Sequence, residues 1–314
     1  MDGPIETLLV PLDGSKLAEA ATPLARLIAE RAEVPLYLLR VIDPESTVDD
    51  ERQAMRDLED EARRLHLEAK PKMLVGAPAD QILAEAASLS HPLIIMTTHG
   101  RSGLGRWAFG SVSDRVVHGA EAPVLLLRSD VEPPDSTGFR RILVPLDGSA
   151  LAEAALPYAM ALARLFAAPL HLVRVAETTR LFTLYGMSQA PIPGDVIQDM
   201  VTNLENEAHQ YLDQVVERMG SSEVADRVTV LEGIPVEALL TYMTQQSIDL
   251  VVMATHGRSG FNRLVLGSVA DRMLRLAHLP ILMVPVTGIR ARDGESPQAS
   301  SEAAVPDAGT TRDG

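Results

Sequence analysis

Two short strings hold glycine, serine and charge at spacings that suit a phosphate. Met96–Arg115 reads MTTHGRSGLGRWAFGSVSDR, and Met253–Arg272, 157 residues later, reads MATHGRSGFNRLVLGSVADR. In each, a glycine-rich turn precedes a Gly-Ser pair. The turn is His99, Gly100, Arg101 and Gly103, or His256, Gly257, Arg258 and Gly260; the pair is Gly110-Ser111 or Gly267-Ser268. Glycines in such a turn permit positive φ and close backbone approach, so successive N–H groups can converge on one anion. A helix opening at the Gly-Ser pair adds unpaired N–H groups and a partial positive charge. Together these make a phosphate site. A plainer reading needs no ligand: Ser111 caps its helix and Asp114 sits in the first turn, which is worth ~0.5–2 kcal/mol. A cap alone does not require the His-Gly-Arg-Ser-Gly turn upstream.

These residues have to be positioned by a scaffold, and the chain alternates short apolar runs with helical periodicity. The first copy predicts strands over Thr7–Val10, Leu36–Ile42, Lys72–Val75, Leu93–Thr97 and Val124–Arg128. Helices fall between them, the last from about Ser111 to His118. This order predicts an α/β fold of two tandem doubly wound, Rossmann-like units, each a five-stranded parallel sheet with helices on both faces. Ligands of such sheets sit beyond the carboxyl ends of the strands. Two segments land there in each unit: the glycine turns above, and Pro11-Leu12-Asp13-Gly14-Ser15 or Pro145-Leu146-Asp147-Gly148-Ser149. Pro23 and Pro157 interrupt the first helical pattern, which predicts a kink or a late helix start.

The repetition covers nearly the whole chain. LLVPLDGSKLAEAATP from Leu8 matches ILVPLDGSALAEAALP from Ile142 at an offset of 134, and GAPADQIL from Gly76 matches GIPVEALL from Gly233 at 157. The second copy therefore carries 157 − 134 = 23 extra residues between Val175 and Gly233. We expect one unit over residues 1–132, a linker over 133–138, a second unit over 139–287 and a disordered tail over 288–314. The inserted stretch Arg180–Asp195 begins close after Val175. It reads as a solvent loop or dimer contact, or else as a lid.

Composition narrows the function classes. The 314 residues contain no cysteine, which removes disulfides, thiolate metal sites and a cysteine nucleophile. The net charge of −15 and the lack of a basic stripe argue against nucleic acid as a partner. No apolar run approaches the ~18 residues of a membrane span, and the start lacks a signal-peptide pattern. A cytoplasmic location without membrane contact is the expectation.

These strings resemble the universal stress protein family in its tandem form. The family pattern of ATP-binding members is Gly, two residues, Gly, nine residues, Gly, then Ser or Thr. Gly100, Arg101–Phe109 and Gly110-Ser111 match it, as do Gly257, Arg258–Leu266 and Gly267-Ser268. The VPLDGS opening and the strands ending at Val41 and Val175 are similar too, so the resemblance spans about 285 residues. It implies ATP as ligand, with magnesium an open point. Pro11, Asp13, Pro145 and Asp147 would lie by the adenosine, and Val41 and Val175 would offer backbone groups to adenine. Gly100, Gly103, Gly110 and Ser111 would hold phosphates, as would Gly257, Gly260, Gly267 and Ser268. Arg101 and Arg258 are either an added cation or solvated loop residues. His99 and His256 suit local packing or hydrogen bonding more than acid–base work. Asp13 leaves a metal-ligand or base role open, and no catalytic residue is assigned.

One departure stands out. The pattern's first glycine is Thr97 in one copy and Ala254 in the other. Threonine, being β-branched, should impair its site more, so the second copy is expected to bind nucleotide more tightly. The apolar final strands, Val124–Arg128 and Ile281–Val284, invite pairing; the resemblance implies that they meet across a two-fold axis within the chain and that the whole chain forms a homodimer. Three functions follow: an ATP-binding stress-response regulator with at most slow hydrolysis, a dimerising scaffold with vestigial sites, and an adenylating enzyme. The last usually carries a Ser-Gly-Gly-rich first loop, which VPLDGS is not.

Overall fold

The computed structural model describes residues 3–65, 68–98, 110–128, 131, 137–179, 193–220, 225–255 and 266–286. Their strands are β1 (Thr7–Pro11), β2 (Leu36–Ile42), β3 (Lys70–Val75), β4 (Pro92–Thr98) and β5 (Val124–Arg128) in the first unit. In the second they are β6 (Ile142–Leu146), β7 (Leu170–Ala176), β8 (Ala225–Glu232), β9 (Leu250–Ala254) and β10 (Ile281–Val284). Each unit is a parallel sheet, and the two join in one sheet of order β3-β2-β1-β4-β5-β10-β9-β6-β7-β8. The join is antiparallel: Leu126 faces Ile281, Leu125 faces Leu282 and Val124 faces Met283. The two apolar final strands thus pair with each other, leaving neither as an open edge.

The strands read as apolar runs because both faces are covered. Leu8 and Val10 point into one buried layer, Leu9 into the other. The first layer takes the helices Thr22–Ala32, Val48–Arg64, Leu156–Phe166 and Gly194–Met219; the second takes Pro78–Ser88, Ser111–Gly119, Pro235–Gln246 and Ser268–Leu276. Each layer runs across both units. At the boundary Phe139 is 1% exposed and meets Phe166 edge-on at 5.3 Å, while the Arg31 guanidinium lies 4.9 Å over the Phe166 ring. Arg31 also donates to the Thr137 carbonyl at 3.1 Å, so the end of the expected linker is tied to the first unit's helix.

Two local expectations are refined. Pro23 and Pro157 produce the late start: a four-residue helix, Lys16–Glu19 or Ala150–Glu153, ends before a new helix opens with the proline in its first turn. There the missing N–H would have had no partner anyway. The helix between β2 and β3 runs Val48–Arg64, opened by a reciprocal capping box of Thr47 and Asp50. In the second unit its counterpart Gly194–Met219 has 26 residues against 17, so helix lengthening absorbs 26 − 17 = 9 of the 23 extra positions. The rest of the Arg180–Asp195 stretch lies largely outside the described residues, as does the tail.

Candidate functional site

Chain order reverses between β1 and β4 in the first unit and between β6 and β9 in the second. A sheet of this kind opens a crevice at that switch point, beyond the carboxyl ends of the strands. Each unit has a cavity there, of about 690 Å³ in the first and about 380 Å³ in the second. Because β5 and β10 are antiparallel, the two cavities lie at opposite edges of the sheet. Both open on the same face, for Leu39, Ile82 and Met96 of one belong to the same buried layer as Val173, Val236 and Met253 of the other.

The walls follow the strand order. At one end are the close of β2, with Leu39 and Val41, and the helix start at Pro78. Pro11, Leu12 and Asp13 stand in the middle, after β1, beside Met96 and Thr97 of β4. The other end is the opening of the helix Ser111–Gly119, from Gly110 to Ser113. The second cavity repeats this with Val173 and Val175, then Pro145, Asp147, Met253 and Ala254, then Gly267 and Ser268. The structure thus brings Pro11, Asp13, Val41, Gly110 and Ser111 together, and Pro145, Asp147, Val175, Gly267 and Ser268 likewise. His99, Gly100, Arg101 and Gly103 lie outside the described residues, as do His256, Gly257, Arg258 and Gly260.

The reading of Ser111 as a helix cap is corrected. The N-cap is Gly110, in extended backbone at φ −60°, ψ 142°, and no side chain caps the helix; Ser111 is already the first helical residue. Gly267 takes the same place before Ser268. Serine at the N-cap would have folded its hydroxyl onto the N–H groups of the first turn. Glycine cannot, so the first turn, which lines the cavity, has no side-chain cap on its N–H groups. Asp114 and Asp271 still lie in the first turn, where a carboxylate complements the dipole.

Across the cavity, Asp13 Oδ1 accepts from the Ser15 amide at 2.9 Å and from Ser15 Oγ at 2.6 Å, and Ser15 Oγ in turn caps the Ala18 amide at 3.1 Å. Asp147, Ser149 and Ala152 repeat all three bonds. The carboxylates are therefore held at fixed angles by the loops they sit on. Gly14 and Gly148 have φ of +80° and +89°, and a Cβ on either would press on the guanidinium of Arg40 or Arg174 behind the loop. That is why these loops read Asp-Gly-Ser twice. Burial, and then the carboxylates of Glu153 and Asp147, push the Tyr211 hydroxyl far up, so it stays protonated. Among the described residues no group of three or more His, Asp and Glu has metal-binding geometry.

Composition-led reading missed part of the wall. Pro78 and Ile82 of the first unit and Pro235 and Leu239 of the second line the cavities from the helix after β3 or β8. The repeated Gly-x-Pro of GAPADQIL and GIPVEALL was the available signal. Arg272, in the second cavity, was hidden inside the glycine string itself.

The sequence profile of the universal stress protein family matches residues 4–128 and 138–285. A universal stress protein of Mycobacterium tuberculosis is 24% identical over 296 residues, covering 88% of this chain and 96% of the relative. One of Methanocaldococcus jannaschii is 29% identical over 148 residues, covering 46% of this chain and 82% of the relative. The crystal structure of a universal stress protein from Archaeoglobus fulgidus superimposes with a TM-score of 0.65 at 20% identity, over 91% of this chain and 99% of that one; this likeness is one of fold.

Proposed function

Because the chain belongs to the universal stress protein family, we propose that it is an ATP-binding stress-response regulator with one adenine-nucleotide site in each unit. The observation that carries this reading is the pair of cavities, each ending at a helix whose N-cap is a glycine rather than a capping side chain. A helix start left open in this way suits an anion. The opposite end carries Leu39 and Val41, or Val173 and Val175 with Glu177 beside them, and its apolar side chains suit a base. Gly110, Ser111, Gly267 and Ser268 hold phosphate in this reading, and Asp13 and Asp147 face the sugar. The family resemblance would add Gly100, Gly103, Gly257 and Gly260 to the phosphate contacts, and leaves Arg101 and Arg258 as either an added cation or loop residues. The role in this reading is binding and signalling.

Mass spectrometry of ligand released from protein purified without added nucleotide tests the reading. An adenine nucleotide near two per chain is the expected result. An empty protein whose melting temperature also ignores millimolar ATP rejects it, since a ligand of the native state must raise that temperature. Homodimerisation of the whole chain belongs to the same proposal. β5 and β10 are consumed within the chain, so a second copy has to dock elsewhere, and light scattering at twice the 33.9 kDa chain mass is the check.

A further inference from the structure

The two cavities are built on matching residues, yet the second is little more than half the volume of the first, about 380 against about 690 Å³. The floor does not account for this. Leu39 of β2 is replaced by Val173, and Thr97 of β4 by Ala254, both smaller side chains that ought to enlarge the second cavity. At the Ser268 end Arg272 lines the second cavity while its counterpart Arg115 does not line the first; at the other end the described difference lies on the rim. Ile234 stands where the first unit has Ala77; each is the residue just before the helix proline, with nearly the same backbone angles (φ −83°, ψ 122° and φ −70°, ψ 122°). Their Cβ atoms consequently point the same way, and the three further carbons of Ile234 reach the second cavity while Ala77 does not line the first. Glu177, two residues past Val175, also lines the second cavity. Its counterpart Asp43 turns back on its own loop and accepts the Glu45 amide at 2.9 Å.

Both rim residues sit at the β2 or β7 end of the crevice, away from the helix start. Ile234 is 38% exposed there, a large apolar side chain held partly in water. Its place is explained if it excludes something. Excluding a bulkier competitor by steric closure is a common route to specificity, because one filled volume costs the larger ligand far more than it helps the smaller.

We propose that Ile234 is the specificity-determining residue that separates the two sites: the second accepts only an unsubstituted adenine base, and the first also accepts a nucleotide with added bulk on the base. The proposal rests on the nucleotide reading of both cavities. Calorimetric titration of the full chain with ATP and with N6-benzyl-ATP tests it. We expect two sites per chain for ATP and one for the benzyl analogue. Ile234→Ala is expected to raise the analogue count to two, and Ala77→Ile to lower it to none, with ATP still binding at two sites in both variants. Thermal melts confirm that each variant is folded; both positions are at the surface, so neither opens the core. Equal counts for the two ligands in the unmodified chain, or a count of one that neither substitution moves, overturns the inference and leaves the nucleotide reading intact. No heat with ATP itself overturns both.

Discussion

The Arg115 guanidinium is 2.7 Å from the Asp80 carboxylate, whereas Arg272, on the same turn of the matching helix, lines the second cavity. The sequence treats these arginines as one repeated letter. The structure gives them different partners, because Asp80 of the helix Pro78–Ser88 meets Arg115 while Glu237, its counterpart, has no ion pair with Arg272 within 4.0 Å. A cation that lines the cavity near a helix start strengthens the hold on phosphate, and one already paired with a carboxylate does so less.

Arg272→Gln should therefore weaken ATP binding at the second site by about three- to tenfold, an effect reduced by salt because the group is exposed. Arg115→Gln should leave both affinities within about twofold. Calorimetry at low and at physiological ionic strength reads both, and equal losses from the two variants would refute the distinction.

Thr97 is buried against the first cavity at the position where the family pattern has glycine. Removing its branched side chain should relieve the first site more than removing the single methyl of Ala254 relieves the second. Thr97→Gly is expected to enlarge the ATP-induced rise in melting temperature more than Ala254→Gly does. By the same logic Gly267→Val should abolish more of the original shift than Gly110→Val, since the second site is expected to be the stronger one before any change. The opposite ranking in a thermal-shift series counts against both statements.

The fold was readable because its signals are local and repeated. Strands β1, β2, β4 and β5 are apolar runs, and each strand-to-helix junction carries glycine, proline or serine. The antiparallel meeting of β5 and β10 followed from two apolar final strands that need a cover. Other relationships depend on side chains that no repeat preserves. Glu85, 6% exposed, pairs with Lys72 at 2.6 Å in the first unit. In the second unit Tyr242 and Thr229 stand at those positions, and His171 Nδ1 lies 2.9 Å from the Tyr242 hydroxyl. One buried position is thus satisfied by an ion pair in one copy and by a neutral network in the other, and no string comparison announces that. The contrast between Ala77 and Ile234 was equally silent, because a size difference at a rim matters only once the cavity behind it is known.

The junction between units should be among the costliest places to mutate. Phe139 is fully enclosed, stacked edge-on against Phe166, and lies where the first and second units meet. Truncation leaves a cavity that rigid helices on either side cannot fill, so Phe139→Ala is expected to cost about 3–5 kcal/mol in urea unfolding. Phe139→Leu should cost clearly less, because most of the volume is retained. A loss under about 1 kcal/mol for the alanine variant would mean that the junction is not a packed core.

Stability should also depend on pH through one acidic pair. Glu205 of the long helix Gly194–Met219 raises the pKa of Glu232, at the end of β8, chiefly by a shared hydrogen bond and then by repulsion. A carboxyl whose folded pKa lies above its unfolded value binds its proton more tightly in the folded state. Its stabilising contribution is complete below the unfolded pKa of about 4.3 and is lost as the pH rises through the folded value. As the pH rises and Glu232 loses its proton, its charge is opposed by Glu205. Glu232→Gln keeps a hydrogen-bonding amide and removes the repulsion, so it should raise the melting temperature at pH 7, by about 1–2 °C for a solvent-facing pair in a domain of this size. The gain should shrink as the pH falls, since Glu232, its pKa raised, takes up its proton ahead of an ordinary carboxyl. Melting curves of the two proteins between pH 4 and pH 8 should therefore converge toward the acid end and separate toward neutrality; a constant offset would assign the effect to something other than this pair.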